Sequence, residues 1–157
     1  MTKLITENDG AGCSTLCQST RVHQLFGGGK EGSRQSLSRL TQWPCQIQLV
    51  PTRAPYFDGA NLLIAADCTA FAYGSFHSDF IKNHITLIGC PRLDAVEYTE
   101  KLTEIIKSND IKSLKIVRMD VPCCNGIEEA ATKALLASGK FIPWQIVTIT
   151  TEGAIAD

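Results

Sequence analysis

From Gln46 onward, short runs rich in β-branched residues and Leu alternate with stretches of helical period. The runs are QIQLV (46–50), NLLIAAD (61–67), ITLIG (85–89), LKIVRMD (114–120) and QIVTIT (145–150). Strands alternating with helices are the signature of a parallel sheet covered by helices on its faces. Two of the connecting helices are well marked. After Pro91, Asp94 followed by Glu97 reads as an N-cap with its N3 partner, and Tyr98, Leu102, Ile105 and Ile106 then share one face, with Asn109 and Asp110 as the stop. Asn125 and Glu128 repeat the capping pattern; Ile127, Ala130, Ala131, Ala134 and Leu135 form a buried stripe, and Gly139 supplies the exit. Between the second and third runs, TAFAYGSFHSDFIKN carries a helical pattern that Gly74 interrupts.

Residues 1–40 differ: Gly, Ser and Thr dominate, and large apolar side chains are few, so this segment cannot build a core alone. The expected architecture is a single doubly wound, Rossmann-like α/β domain over 41–157, with a mainly parallel sheet of about five strands, after an irregular Gly/Ser-rich tail over 1–40. A length of 157 residues with 44% apolar side chains suits one domain. Charge narrows the partners. With 15 Lys+Arg against 16 Asp+Glu the net charge is -1, which argues against a general nucleic-acid or anionic-membrane binder. No stretch approaches the ~20 apolar residues of a membrane span, and MTKLITENDG lacks a signal-peptide core. A soluble cytoplasmic protein is expected.

The chain has seven cysteines, an odd number that cannot all pair as internal disulfides. Cys68 follows the second run directly, Cys90 the third, and Cys123 and Cys124 stand just beyond the fourth. In a parallel sheet those positions share the carboxyl edge, where α/β folds place their ligand crevice. A lone cysteine at such a place reads as a small buried hydrophobe. Four at equivalent strand ends read as a shared thiolate site. Cys124 leads into a helix whose N-terminus favours a negative sulfur, while Pro91 and Pro122 restrict the neighbouring backbone. Soft thiolates with few competing ligands select zinc or an iron–sulfur cluster. An adjacent Cys-Cys pair and ligands from separate strand ends are unusual for a zinc knuckle and leave room for a larger cofactor. Cys13 and Cys17 form a C-x3-C pair in the tail, from which one could complete the site. Cys45, just before the first run, is expected at the opposite end of the sheet and is assigned to packing.

Other candidates are weaker. His77 sits among Phe71, Tyr73, Phe76 and Phe80 and is a reserve ligand; His23 and His84 have no evident partner. Asp67 beside Cys68 and Asp58 in YFDGAN could serve as acids or bases, although Asp at a strand end commonly caps a helix. GGGKEG lacks both the spacing of a phosphate loop and its Ser/Thr after Lys30, and no G-x-S-x-G elbow occurs.

The blocks WPCQIQLVPTRAPYFDGANLLIAADCTAFAYGSFHSDF, LIGCPRLD and EKLTEIIKSNDIKSLKIVRMDVPCCNGIEEA resemble a family of bacterial and archaeal iron–sulfur cluster-binding, ferredoxin-like proteins common in anaerobes. The similarity covers about residues 40–153. Family members tend to carry a ferredoxin module before this domain; here there is no C-x2-C-x2-C run, and Gln18 stands where a proline follows the tail cysteine. The resemblance implies cluster binding or electron transfer and carries over to Cys68, Cys90, Cys123 and Cys124, with Cys17 as a further ligand. More loosely, Cys90 followed by Cys123-Cys124 is similar to the cysteine-rich motif of heterodisulfide reductase-type subunits.

Three functions stay open. One is an iron–sulfur or other metal-binding protein with an electron-transfer role and a redox protein partner. Another is a thiol redox enzyme that uses the Cys123-Cys124 region, with Asp67 or His77 moving protons. The last is a structural zinc-binding interaction module. The sequence leaves the oligomeric state open.

Overall fold

The structure, a computed structural model, describes residues 37–156 and, ahead of them, the two-residue strand β1 (His23–Gln24). The remaining elements follow in the order β2 (Gln42–Trp43), β3 (Ala60–Ala66), α1 (Thr69–Ala72), β4 (Ile85–Gly89), α2 (Pro91–Asp94), α3 (Thr99–Ser108), β5 (Ile111–Met119), α4 (Asn125–Ser138) and β6 (Trp144–Ile149). Four strands form one parallel sheet in the order β4-β3-β5-β6, and β1 pairs antiparallel with β2 beside it. The doubly wound α/β expectation holds. β3 is buried from Leu62 through Ala66, as suits a central strand covered on both faces. Each fully buried Leu or Ile of this core contributes roughly 1.5–3 kcal/mol.

The two faces of β5 show how the layers divide. Arg118 points to α4, where its Nε lies 2.6 Å from Glu128 Oε2, whereas Lys115 points the other way, 5.8 Å from the ring of Phe80. On the first face α3 and α4 pack together, burying Leu102, Ile105 and Ile106 from one and Ile127, Ala130, Ala131 and Ala134 from the other. The opposite face is covered by Phe76, Phe80 and Ile81, the last two within a π-helical turn, His77–Ile81. Gly74 separates that turn from α1, as the sequence suggested.

Details of the helix ends differ from expectation. Asp94 closes α2 instead of opening α3, and its carboxylate accepts from the Tyr98 hydroxyl at 2.5 Å. Asn125 lies inside α4 because a 3-10 turn over Pro122–Cys124 winds the chain one residue earlier. Asn125 Oδ1 and Glu128 are taken by Arg118, an electrostatic partner from β5 that no local pattern could announce. Gly139 does end α4 in the left-handed region at φ 69°.

The run at 46–50 is a turn rather than a strand. The chain still lies along the β4 edge. Gln42 places its side-chain amide where a strand would place a peptide, with Nε2 donating to Thr86 O at 2.5 Å and Oε1 accepting from Thr86 N at 3.4 Å. Farther along, Gln46 bridges Ile88, and Ile47 N donates to Ile88 O. Among the described residues no helix is long and apolar enough to cross a membrane.

Candidate functional site

β3 pairs with β4 on one side and β5 on the other, so the chain leaves β3 in one direction, returns across it, and reverses the sheet's growth between β3 and β5. Side chains beyond the carboxyl ends of these two strands flank the crevice where such sheets bind ligands. After β3 come Asp67 and Cys68; after β5 come Asp120, Pro122, Cys123 and Cys124. Cys90 follows β4, one strand outward.

The described thiols differ sharply in access. Cys68 and Cys123 are exposed, Cys90 and Cys45 are half-buried, and Cys124 is buried. Burial pushes the Cys124 thiol up; the Met119 backbone amide works against this, and Cys123 and Cys68 add like charge and raise it further. Cys124 therefore senses thiols from both sides of the reversal. That direction is opposite to the stabilised thiolate expected at a helix N-terminus. Two backbone N–H groups of that turn are already used, Cys124 N to Val121 O and Asn125 N to Pro122 O. Dehydration of the sulfur then prevails.

Cys45 also departs from expectation, because its carbonyl accepts from Ile88 N at 2.8 Å near the end of β4. That places it at the carboxyl edge, not the opposite end. Its thiol is raised chiefly by burial, with a smaller contribution from the charge of Asp67. Beside it, Gln46 Nε2 is 3.5 Å from Asp67 Oδ1, and burial lifts the Asp67 carboxyl above its usual range, with Asp94 adding to the effect. Under Cys90, Tyr98 is fully buried and its hydroxyl is pushed up by burial, by its bond to Asp94, and by the charges of Asp67 and Cys90. These side chains make the floor of the edge beneath β3 and β4. A backbone without side chain permits it: a Cβ on Gly89 would stand 2.7 Å from Tyr98 Oη. Tyr98 was legible only as a core residue, and Gln46 as part of a strand.

The remaining candidates lie elsewhere. His77 Nδ1 accepts the Arg39 backbone N–H at 3.1 Å, and His84 Nδ1 lies 2.9 Å from Lys82 O, ahead of β4 at the amino end. Asp58 is exposed before β3, also at the amino end. Cys13, Cys17 and the 25–36 stretch containing GGGKEG fall outside the described residues, and only the backbone of His23 falls within them. Among the described residues, no three His, Cys, Asp or Glu side chains stand close enough together to hold a metal ion.

Residues 54–157 match the family described as a Rossmann-like domain. The chain belongs to this Rossmann-like domain family. An uncharacterized protein of Archaeoglobus fulgidus is 31% identical over 120 residues, covering 76% of this chain and 84% of the relative. No solved structure matches the chain. Rossmann-like domains host many unrelated chemistries, so the function has to be argued from the residues at the crevice.

Proposed function

We propose that the carboxyl edge of this Rossmann-like domain binds a soft-metal cofactor, an iron–sulfur cluster, and uses it to exchange electrons with a redox protein partner. Cys68, Cys90, Cys123 and Cys124 are the proposed ligands, and Cys17 from the N-terminal segment is a further one. The observation that carries the reading is the placement of Cys68, Cys90 and Cys123–Cys124 just past the carboxyl ends of β3, β4 and β5, the strands around the reversal of the sheet. The resemblance of residues 40–153 to iron–sulfur cluster-binding proteins supports it. The donor set suits a soft metal, being thiols, while His77 and His84 are engaged elsewhere, with the Arg39 amide and beside the Lys82 carbonyl. Ligation would draw on side-chain rotation at Cys68 and Cys123, both at the surface. A bound cluster would supply one-electron transfer. The chain's own residues would tune it: Cys124 carries the buried sulfur, and Tyr98 and Asp94 hold the Cys90 loop.

The test is the iron, acid-labile sulfide and zinc content of protein purified without oxygen, for the wild type and for the Cys68→Ser, Cys90→Ser, Cys124→Ser triple variant. Iron with sulfide in the wild type and loss of both in the triple variant are expected. Metal content unchanged in the triple variant refutes the site. Zinc without sulfide assigns a structural metal instead.

A second reading rests on the adjacency of Cys123 and Cys124 in the turn Pro122–Cys124, which puts an exposed thiol next to a buried one. Thiol–disulfide exchange would use Cys123 as the accessible partner. Metal-free protein purified without oxygen that exchanges readily with small disulfides favours this reading over the first.

A further inference from the structure

The two edges of the parallel sheet are unlike. On the β4 side, residues 42–47 run alongside and satisfy the backbone through Gln42 and Gln46. β6 is the other edge, and it is covered over only part of its length. Its carboxyl half is closed by the chain's own return: Ala156 N donates to Thr148 O at 2.9 Å, Thr150 N donates to Ala154 O at 2.8 Å, and Ile149 bridges Ile155.

Which backbone groups stay open follows from the ladder. Leu114 N donates to Pro143 O and Asp120 N to Ile149 O, so the odd-numbered residues of β6 turn their peptide groups toward β5. The even-numbered ones face outward. Thr148 is used by Ala156, which leaves Trp144 and Ile146, each with an N–H and a C=O toward solvent among the described residues. Edge strands of this kind are normally protected by charge, proline or a bulge. The strand WQIVTI contains no charged residue and no proline, and its register with β5 is unbroken. Apolar side chains crowd its start: Trp144 is 47% exposed, Leu136 of α4 77%, and Phe141 in the connector fully so.

We propose that the open half of β6 pairs antiparallel with the same stretch of a second copy, across a two-fold axis at Gln145, joining the two sheets into one. Self-complementarity is the reason to choose a second copy. In that register Trp144 meets Ile146 of the other copy and Ile146 meets Trp144, so every outward N–H and C=O of the open half finds a partner. Both pairs are hydrogen-bonded positions that place an aromatic ring beside a β-branched side chain. Within Trp144–Ile149 no charged residue opposes the contact. The return at Thr148–Ala156 blocks further pairing, so the assembly closes at two copies instead of growing. Phe141 and Trp144 bring roughly 300 Å² per copy when covered. A stable interface takes about 800 Å² per partner, so the dimer dissociates on dilution.

The test is sedimentation velocity of the full chain over a concentration series from low micromolar upward. The wild type should pass from one-chain to two-chain mass. Ile146→Pro removes an outward N–H without touching the ladder to β5, and Trp144→Lys puts an ammonium into the contact; each should weaken association at least about tenfold, with circular dichroism confirming the fold. If Ile146→Pro fails to fold, Trp144→Lys decides. A one-chain mass at every concentration, or a dimer that a folded variant leaves as tight as the wild type, overturns the proposal.

Discussion

Gly89 ends β4 immediately before Cys90, and replacing it with alanine tests how tightly the floor of the thiol edge is packed. The added Cβ would lie 2.7 Å from Tyr98 Oη, 2.9 Å from Tyr98 Cζ and 3.2 Å from Ile47 Cδ1. Neither neighbour can easily yield. Ile47 is wholly buried, and Tyr98, at 1% exposure, is held by its hydroxyl to Asp94. Overpacking of this kind costs about 1–3 kcal/mol. Removing a glycine from the unfolded chain returns about 0.4–1 kcal/mol. The net loss is about 1–2 kcal/mol, a fall in Tm of roughly 2–8 °C at this chain length. Thermal unfolding followed by circular dichroism measures it. A double-mutant cycle then isolates the contact: Tyr98→Phe deletes the oxygen at 2.7 Å, so Gly89→Ala should cost at least about 0.5 kcal/mol less in that background. An unchanged or higher Tm in Gly89→Ala, or an equal cost in both backgrounds, refutes the close approach and with it the rigidity argued for the Cys90 loop.

Tyr56 is a second test of burial. Its hydroxyl is enclosed without a hydrogen-bond partner among the described residues, and burial pushes its pKa up to about 12 from an ordinary value of 10. The folded state thus keeps the phenolic proton longer than the unfolded state. Its share of stability is complete below pH 10 and is lost as pH rises toward 12. Tyr56→Phe should flatten the urea midpoint across that window and leave neutral-pH stability unchanged or raised by up to about 1 kcal/mol, since it removes an unsatisfied group; a clear loss would show that the hydroxyl has a partner. Thiol access gives an order of reaction. With chelator-treated protein near neutral pH, Cys68 and Cys123 should alkylate first and Cys124 last, because Cys124 is 5% exposed and its pKa is raised by burial. Peptide mapping by mass spectrometry reads the order, and labelling of Cys124 ahead of Cys68 would contradict it.

Much of the fold was legible because a parallel sheet writes itself as apolar runs separated by helices. The runs that became β3, β4, β5 and β6 needed no tertiary information, and α3 and α4 announced their buried stripes. Legibility failed where a distant side chain replaced a local signal. Gln42 satisfies Thr86 with its side-chain amide, so the segment beside β4 needs no strand periodicity, and the apolar look of QIQLV comes from Ile47 and Val50 packing into the core from a turn. Arg118 likewise draws Asn125 and Glu128 away from the capping roles their spacing suggested.

The thiol edge obeys the same division between what connectivity fixes and what a balance of energies decides. That Cys68, Cys90, Cys123 and Cys124 share one edge follows from strand direction alone. Cys45 escaped because its position depends on the bridge from Gln46 to Ile88, made by a segment that is not a strand. The direction of the Cys124 shift depends on which of two opposed effects prevails. A helix N-terminus stabilises a neighbouring charge by about 0.3–1 kcal/mol at a surface site. Removal of water from a buried thiolate works the other way, and burial is the first cause of the raised Cys124 pKa. Negative charge on Cys123 or Cys68 would add to the penalty. Burial at this edge thus favours the uncharged Cys124 thiol, and a cation bound beside Cys68 and Cys123 would have to offset that preference to hold it as a thiolate.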